Sequence, residues 1–258
     1  MIDTFSKFYY GHEVTNTNLN IPFDEGAGEL NATINVGSYA LSEYIVAVES
    51  ALNAASVTRV FTVSVDRDTR LVTISADGTF DLLVSSGVTA GASAFALLGF
   101  TGADLTGASS YTGDSPSGSA YFPQFLLQDY VDEEDYREFI SPSVNESASG
   151  EIEVVRFGIN RFFEFSIKYI TDEPMDNYVI KNNPNGRADA RLFLRDITKR
   201  NTFEYMPDEG DSNTFFKVIL EKIPGNKTAT GYKIEELNRQ NVRDIFEIKG
   251  KITLRVVE

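Results

Sequence analysis

The rhythm of apolar and polar positions changes partway along the chain. In the first part, NIPFDEGAGELNATINVG predicts a strand over Glu29–Val36 that carries Leu30, Ile34 and Val36 and stops at Gly37. SYALSEYIVAVESALNAAS then places Leu41, Tyr44, Ile45, Val48 and Leu52 at the i, i+3, i+4, i+7, i+11 spacing of one helical face. With Ser38 as candidate N-cap, this predicts an amphipathic helix over residues 39–55. In VFTVSVDRDTRLVTISA, Phe61, Val63 and Val65 alternate with Thr62 and Ser64, and Val72 and Ile74 with Leu71, Thr73 and Ser75. That is the pattern of a hairpin over residues 60–75 with one buried face, turning at Asp66–Thr69. A turn at Asp77-Gly78 and a third strand at Thr79–Val84 are expected next. SAFALLG, residues 93–99, predicts a short helix with a left-handed glycine cap, and the Gly/Ser/Thr-rich stretch Thr101–Gly118 reads as a strap that leaves the unit.

The second part opens with YFPQFLLQDYVDEEDYREF, whose acids between Asp129 and Glu138 read as a solvated face. EIEVVRFG and NRFFEFSIKYITD predict a strand pair, KNNPNG a turn, and GRADARLFLRDITKR a helix over residues 187–200 with Ala188, Leu192, Phe193 and Ile197 inward. Strands are expected at Thr202–Met206 and Thr214–Glu221, a short helix near Ile234–Arg239, and a long terminal strand in FEIKGKITLRVVE. Together these elements predict a β-rich α+β fold. Residues 20–118 form a small α+β module with one hairpin and one amphipathic helix. Residues 119–258 form an antiparallel sheet or sandwich with a flanking helix, and residues 1–19 are available to complete it.

Composition narrows the function. At 258 residues, 42% hydrophobic and 24% charged, the chain has the make-up of an ordered globular protein. The absence of cysteine rules out disulfides, thiolate metal ligands and a cysteine nucleophile. The formal net charge is −15, and residues 1–118 hold only 4 basic side chains against 13 acidic ones. Long-range steering therefore opposes nucleic acid, which is bound through clustered Lys and Arg, and the acidity reads as a source of solubility. The first residues, MIDTFSKFYYGHEV, lack the basic and apolar regions of a signal peptide, and no window reaches the roughly 18 apolar residues of a membrane helix. A soluble, uncleaved protein without membrane contact is expected.

Tests for chemistry assign no catalytic, cofactor-binding or metal-binding residue. Glycines at 99, 102, 107 and 113 suggest a phosphate loop, but the Gly-Lys-Ser/Thr ending and the strand-borne G-x-G-x-x-G are both absent. His12 is the only histidine, so a serine triad would have to use it; a surface or interface histidine is the simpler reading. The run Asp129, Asp132, Glu133, Glu134 and Asp135 lacks the glycine turns of a calcium loop. Asp66, Asp68 and Asp77 match three EF-hand places, but Leu71 stands where glycine is required, and PDEGDSN at 207–213 reads as a turn. Arg187, Arg191, Arg195, Lys199 and Arg200, interleaved with Asp189 and Asp196, read as a salt-bridging helix face. Tyr39, Tyr111 and Tyr121 are candidates for stacking on sugar rings, and a carboxylate-dependent glycosidase would rest on acid abundance alone.

The serial order of INVGSYALSEYIVAVESALNAA, FTVSVDRDTRLVTISADGTFDLLVSSG and FALLGFTGADLTGASSYTG resembles a module of structural proteins of tailed bacteriophages. EVVRFGINRFFEFSIKYITD, FEYMPDEGDSNTFFKVILE and the ITLRVV strand resemble the β-rich halves of phage tail proteins. The resemblance implies a β-sandwich ring subunit of the tail tube or distal tail, often hexameric, located in the virion. It would act through contacts with itself and neighbouring tail proteins, with no enzymatic residues and no cofactor. A neck or collar protein, or a module binding host-surface glycan, is the alternative.

Overall fold

The computed structural model describes residues 7–121, 131–146, 152–167, 169–171, 193, 196–199, 202–208, 210–211, 213–221, 232–238 and 245–257. In chain order the elements are β1 (Lys7–Tyr10), β2 (His12–Val14), β3 (Asn20–Asp24), β4 (Glu29–Thr33), β5 (Gly37–Tyr39) and helix α1 (Leu41–Ala55). Strands β6 (Phe61–Val65) and β7 (Val72–Leu82), a 3-10 turn at Ala90–Ala92, helix α2 (Phe95–Leu98), β8 (Leu105–Thr112) and β9 (Ser119–Tyr121) follow. Then come β10 (Val131–Glu146), β11 (Ile152–Ile167), β12 (Tyr169–Thr171), β13 (Phe203–Met206), β14 (Phe216–Leu220), β15 (Tyr232–Asn238) and β16 (Ile245–Val256).

All strand pairings between these elements are antiparallel, and the fold is β-rich α+β. One sheet runs β4-β3-β7-β6, with β8 on β7; the larger runs β10-β11-β16-β14-β13-β1-β9, with β12 and β15 on β16. Helix α1 forms because its apolar stripe repeats at helical spacing, and Leu41, Tyr44, Ile45, Val48 and Leu52 are buried. They pack in one cluster with Ala32, Ile34, Phe61, Val63, Val72 and Ile74. Each such large side chain contributes on the order of 1.5–3 kcal/mol through burial. Edge-to-face rings link Phe23, Phe61, Phe80 and Tyr111 across the strands of this sheet. The larger sheet has its own core of Phe8, Tyr10, Phe163, Phe193, Ile197, Phe203, Tyr205, Val218, Ile252 and Leu254.

Several expectations are corrected. Ser38 does not cap the helix: it lies in β5, opposite Glu13 of β2, and the cap is Ala40, whose N–H donates to Glu43 Oε2 at 3.1 Å. No turn breaks the chain at Asp77-Gly78, since β7 runs on to Leu82; the Asp77 carboxylate accepts the Val60 N–H and the Arg59 guanidinium lies over Gly78 where a side chain would stand. The strap Thr101–Gly118 contains β8, whose hydroxyls pair across to β7 as Thr73–Thr112 and Ser75–Ser110 at 2.8 and 2.7 Å. Residues 234–238 belong to a strand, β15, because they ladder onto β16 from Tyr232↔Gly250 to Asn238↔Ile245. The acidic run beyond Val131 is strand β10, and IEVVRFG with NRFFEFSI is one strand, β11 (Ile152–Ile167), paired along its length with β10. Of the helix expected over residues 187–200, Phe193, Asp196 and Ile197 are helical, with Phe193 and Ile197 buried; the remainder lies outside the described residues or beyond the helical turn.

Helix α2 ends at Gly99, which adopts φ +84° and lies where a Cβ would overlap the Ser115 carbonyl oxygen. Gly99→Ala therefore meets both backbone strain and a backbone clash, and should cost about 1–3 kcal/mol. Urea denaturation of the variant checks this, with Gly102→Ala (φ +88°, open space) as the control that carries strain alone.

Candidate functional site

Strands β1 and β13 pair in register Lys7↔Met206, Phe8↔Tyr205 and Tyr9↔Glu204, and all eight of their residues are buried. Successive strand side chains point to opposite faces. Phe8, Tyr10, Phe203 and Tyr205 thus enter the core of the larger sheet, while Tyr9 and Met206 enter the core beneath α1. Lys7 and Glu204 share the second face, so the junction is an apolar layer with a buried charged seam.

Glu204 is 0% exposed, and its two carboxylate oxygens have separate partners. Oε1 accepts the Ser42 N–H at 3.2 Å, and Oε2 accepts Arg67 Nη2 at 2.9 Å. Ser42 lies in the first turn of α1, where unpaired N–H groups and the helix dipole favour an anion, so a residue from the larger sheet supplies what Ala40 cannot. The Arg67 guanidinium also lies 3.9 Å from the Phe215 ring centroid.

Arg67 belongs to the turn between β6 and β7, and that whole turn docks on the larger sheet. Tyr9 Oη donates to the Arg67 carbonyl at 2.8 Å, and burial pushes this phenol well above its ordinary range. Lys7 Nζ pairs with Asp68 Oδ1 at 3.0 Å. Arg70, at φ +60° and buried, donates to the Gly118 carbonyl at 2.9 Å, while its own carbonyl accepts the Ser117 N–H; burial lowers its guanidinium below the ordinary value. A second tie joins Glu43 of α1 to Lys217 at 2.5 Å. Burial raises the Glu43 carboxyl, but hydrogen bonds and charge from Lys217, with help from Ala40 and Thr202, leave it below the usual carboxylate range.

His12 is at this junction and is buried, not on the surface. Its Nε2 is 3.1 Å from Ser117 Oγ, and that hydroxyl donates to the Leu97 carbonyl at 2.9 Å. Ser117 must therefore accept from the imidazole, which acts as a donor and not as a base toward a nucleophile. Both side chains are at most 1% exposed, so no substrate reaches them. Gly118, at φ +56°, lies against the His12 ring, which also packs 5.1 Å from Tyr44.

The carboxylates singled out in the sequence are turned to the backbone. Asp66 accepts the Asp68 and Thr69 N–H groups, Asp208 that of Gly210, and Asp211 that of Asn213. Asp66, Asp68 and Asp77 do not converge, and among the described residues no three His, Asp or Glu side chains form a metal-holding group. Asp129 and the cations Arg187, Arg191, Arg195 and Arg200 lie outside the described residues, as do the side chains of Asp132–Asp135 and Tyr121. Tyr39 and Tyr111 are half-buried, with hydroxyls donating to the Asn35 and Phe80 carbonyls; neither is a free stacking platform.

Nine of the twelve acidic side chains between residues 7 and 118 accept backbone N–H groups: Asp24, Glu25, Glu29, Glu43, Glu49, Asp66, Asp77, Asp81 and Asp104. Acidity here organises the backbone at turns and element ends. The residues that the sequence reading missed are Glu204, Arg67 and Arg70, and the available signal was the unalternating KFYY and FEYM, which mark strands buried on both faces. No family model matches this chain, and no characterised protein resembles it at a significant level.

Two outcomes follow from this seam and these turns. Glu204→Ala leaves the Arg67 charge without its carboxylate and the first turn of α1 without its cap, and should cost about 3–5 kcal/mol in urea denaturation; Glu204→Gln, which keeps an acceptor, should cost less. Hydrogen bonds from Ser86 and Ser85 hold Asp104 down at about 2, and burial of Glu25 is outweighed by hydrogen bonds from Ser56, Thr58 and Val57, which leave it low. Their folded pKa values lie below the unfolded ones, so this stabilisation is complete above the ordinary carboxylate range and is lost as pH falls toward about 2. Melting temperature against pH should be flat near neutrality and fall through this window, with a shallower acid limb in Asp104→Asn.

Proposed function

We propose that the chain is a non-enzymatic structural subunit of a tailed-bacteriophage virion, a tail protein of the tube or distal-tail type acting through contacts with copies of itself and with neighbouring tail proteins. The observation that carries this reading is the β10–β11 ribbon. Among the described residues β16 covers β11 only over Phe162–Ser166, whereas β10 and β11 continue together from Glu138↔Arg161 to Glu146↔Ile152. That leaves a two-stranded ribbon about 30 Å long, and such a ribbon is marginal in water without a further strand or surface against it. A neighbouring subunit supplies one.

The serial likeness of the first unit to phage structural modules points the same way. So do the seam and turns, where the polar groups that attracted attention in the sequence are spent on holding the fold. Residence in the virion belongs to the same proposal; among the described residues no helix is long and apolar enough to cross a membrane.

Electron microscopy and mass photometry of the purified chain over a wide concentration range test the reading. Closed rings or stacked tubes of a single copy number are expected. A species that stays monomeric at the highest concentration, and also fails to incorporate into phage particles assembled in its presence, would contradict it.

A further inference from the structure

We propose that the sheet of the first unit continues from copy to copy, with the β4 edge of one chain pairing with the β8 edge of a second copy of this chain. The proposal rests on the subunit reading and names a surface that reading leaves open.

β6 and β8 both pair with Thr73–Ser75 and so lie on opposite sides of β7; β3 and β8 both meet Leu82, which puts β3 opposite β8 as well. The sheet therefore ends in β4 and β6 on one flank and in β8 on the other. The ladder phase shows which groups are open. Ile34 N–H donates to the Leu19 carbonyl at 2.8 Å, so by alternation Ala32 and Leu30 bond to β3 and the N–H and C=O of Asn31 and Thr33 point away. Likewise Gly113 N–H donates to the Val72 carbonyl at 2.8 Å, so Tyr111 bonds to β7 while Ser110 and Thr112 point away. Among the described residues nothing takes these groups.

On β6 and on the first half of β8 several of the corresponding groups are taken within the unit. On β6, Asn53 of α1 makes both bonds to Phe61, at 2.8 and 2.9 Å, and Glu49 takes the Val63 N–H at 2.8 Å. On β8 itself, Asp81 takes the Gly107 N–H and Tyr111 Oη the Ala108 N–H, which confines the open length to its Ser110–Thr112 end.

Open edges are normally guarded by charge, proline or a covering element. Here the stretches 30–40, LNATINVGSYA, and 105–113, LTGASSYTG, hold no charged side chain in a chain of net charge −15. They are the places where a second copy meets least self-repulsion. Val36, 59% exposed just beyond β4, gains cover in the same contact. Pairing unlike edges is a head-to-tail contact, which closes into a ring when the rotation between copies divides the circle.

The native absence of cysteine makes the test direct. Thr33→Cys and Ser110→Cys place thiols on exposed positions of the two edges. With a short bismaleimide, the double variant should give a ladder of covalent dimers, trimers and higher species, and each single variant should stay monomeric on a denaturing gel. Ser110→Lys should raise the concentration needed for assembly at least tenfold while leaving the melting temperature unchanged. Covalent dimers from either single variant would show like-with-like edge pairing and overturn the proposal. Rings in the microscope without a ladder from the double variant would overturn it and leave the subunit reading intact, whereas monomers under all conditions would remove both.

Discussion

The interaction on which the rest depends is the double use of β1 and β13, fixed by the buried carboxylate of Glu204. A strand in a sheet with one wet face buries every second side chain; KFYY and FEYM bury all of theirs, because one face serves the core of the larger sheet and the other the core under α1. A buried ion pair contributes little net energy after desolvation, but it penalises any arrangement in which a partner is missing. Glu204 has two such partners, the first turn of α1 and Arg67 of the β6–β7 turn, so helix, turn and sheet are placed together or not at all. Of the four side chains on this face, Tyr9 and Met206 fit an ordinary core; the buried charges Lys7 and Glu204 are held by their partners in the β6–β7 turn and α1.

This constraint changes how the acidity is understood. In a chain of net charge −15, carboxylates were expected to serve mainly as solvated charge. Most of those in the first unit instead replace missing backbone partners at turns, as Glu25 does for Val57 and Thr58 and Asp104 for Ser85 and Ser86. Loops rich in Gly, Ser and Thr lose much conformational entropy on ordering. A carboxylate that collects several N–H groups offsets part of that loss and fixes a loop without hydrophobic bulk. The same economy leaves residues 30–33 of β4 and all of β8 without a charged side chain.

The sequence discloses what periodicity encodes and hides what depends on a distant partner. Leu41, Tyr44, Ile45, Val48 and Leu52 announce α1 because its buried face is continuous in one helix, and Phe61–Val65 with Val72–Ile74 announce the hairpin for the same reason. Asp77-Gly78 looks like a turn and is strand, because Arg59 lies over the glycine. Ser38 looks like a cap and is strand, because β2 pairs with β5. The helical reading of residues 234–238 fails because they ladder onto β16; the alternation of that twelve-residue strand is legible, but no local pattern shows which segment pairs with it. The seam is the extreme case: His12 and Ser117 are 105 residues apart and Arg67 and Glu204 137, and each looks ordinary in its own neighbourhood.

Among the described residues, a ribbon stands at one end of the larger sheet and the β4 and β8 edges of the smaller sheet take no further strand, while the polar groups of the seam are directed inward. That division is what a subunit working through contacts needs. Hydrogen–deuterium exchange of the intact chain at neutral pH tests the central claim, the coupling of both cores through β1 and β13. The account predicts that amides of Lys7–Tyr10 and Phe203–Met206 exchange as slowly as those of α1 and β7, with one common opening for both cores. Exchange of these two strands well ahead of cores that remain protected would contradict it.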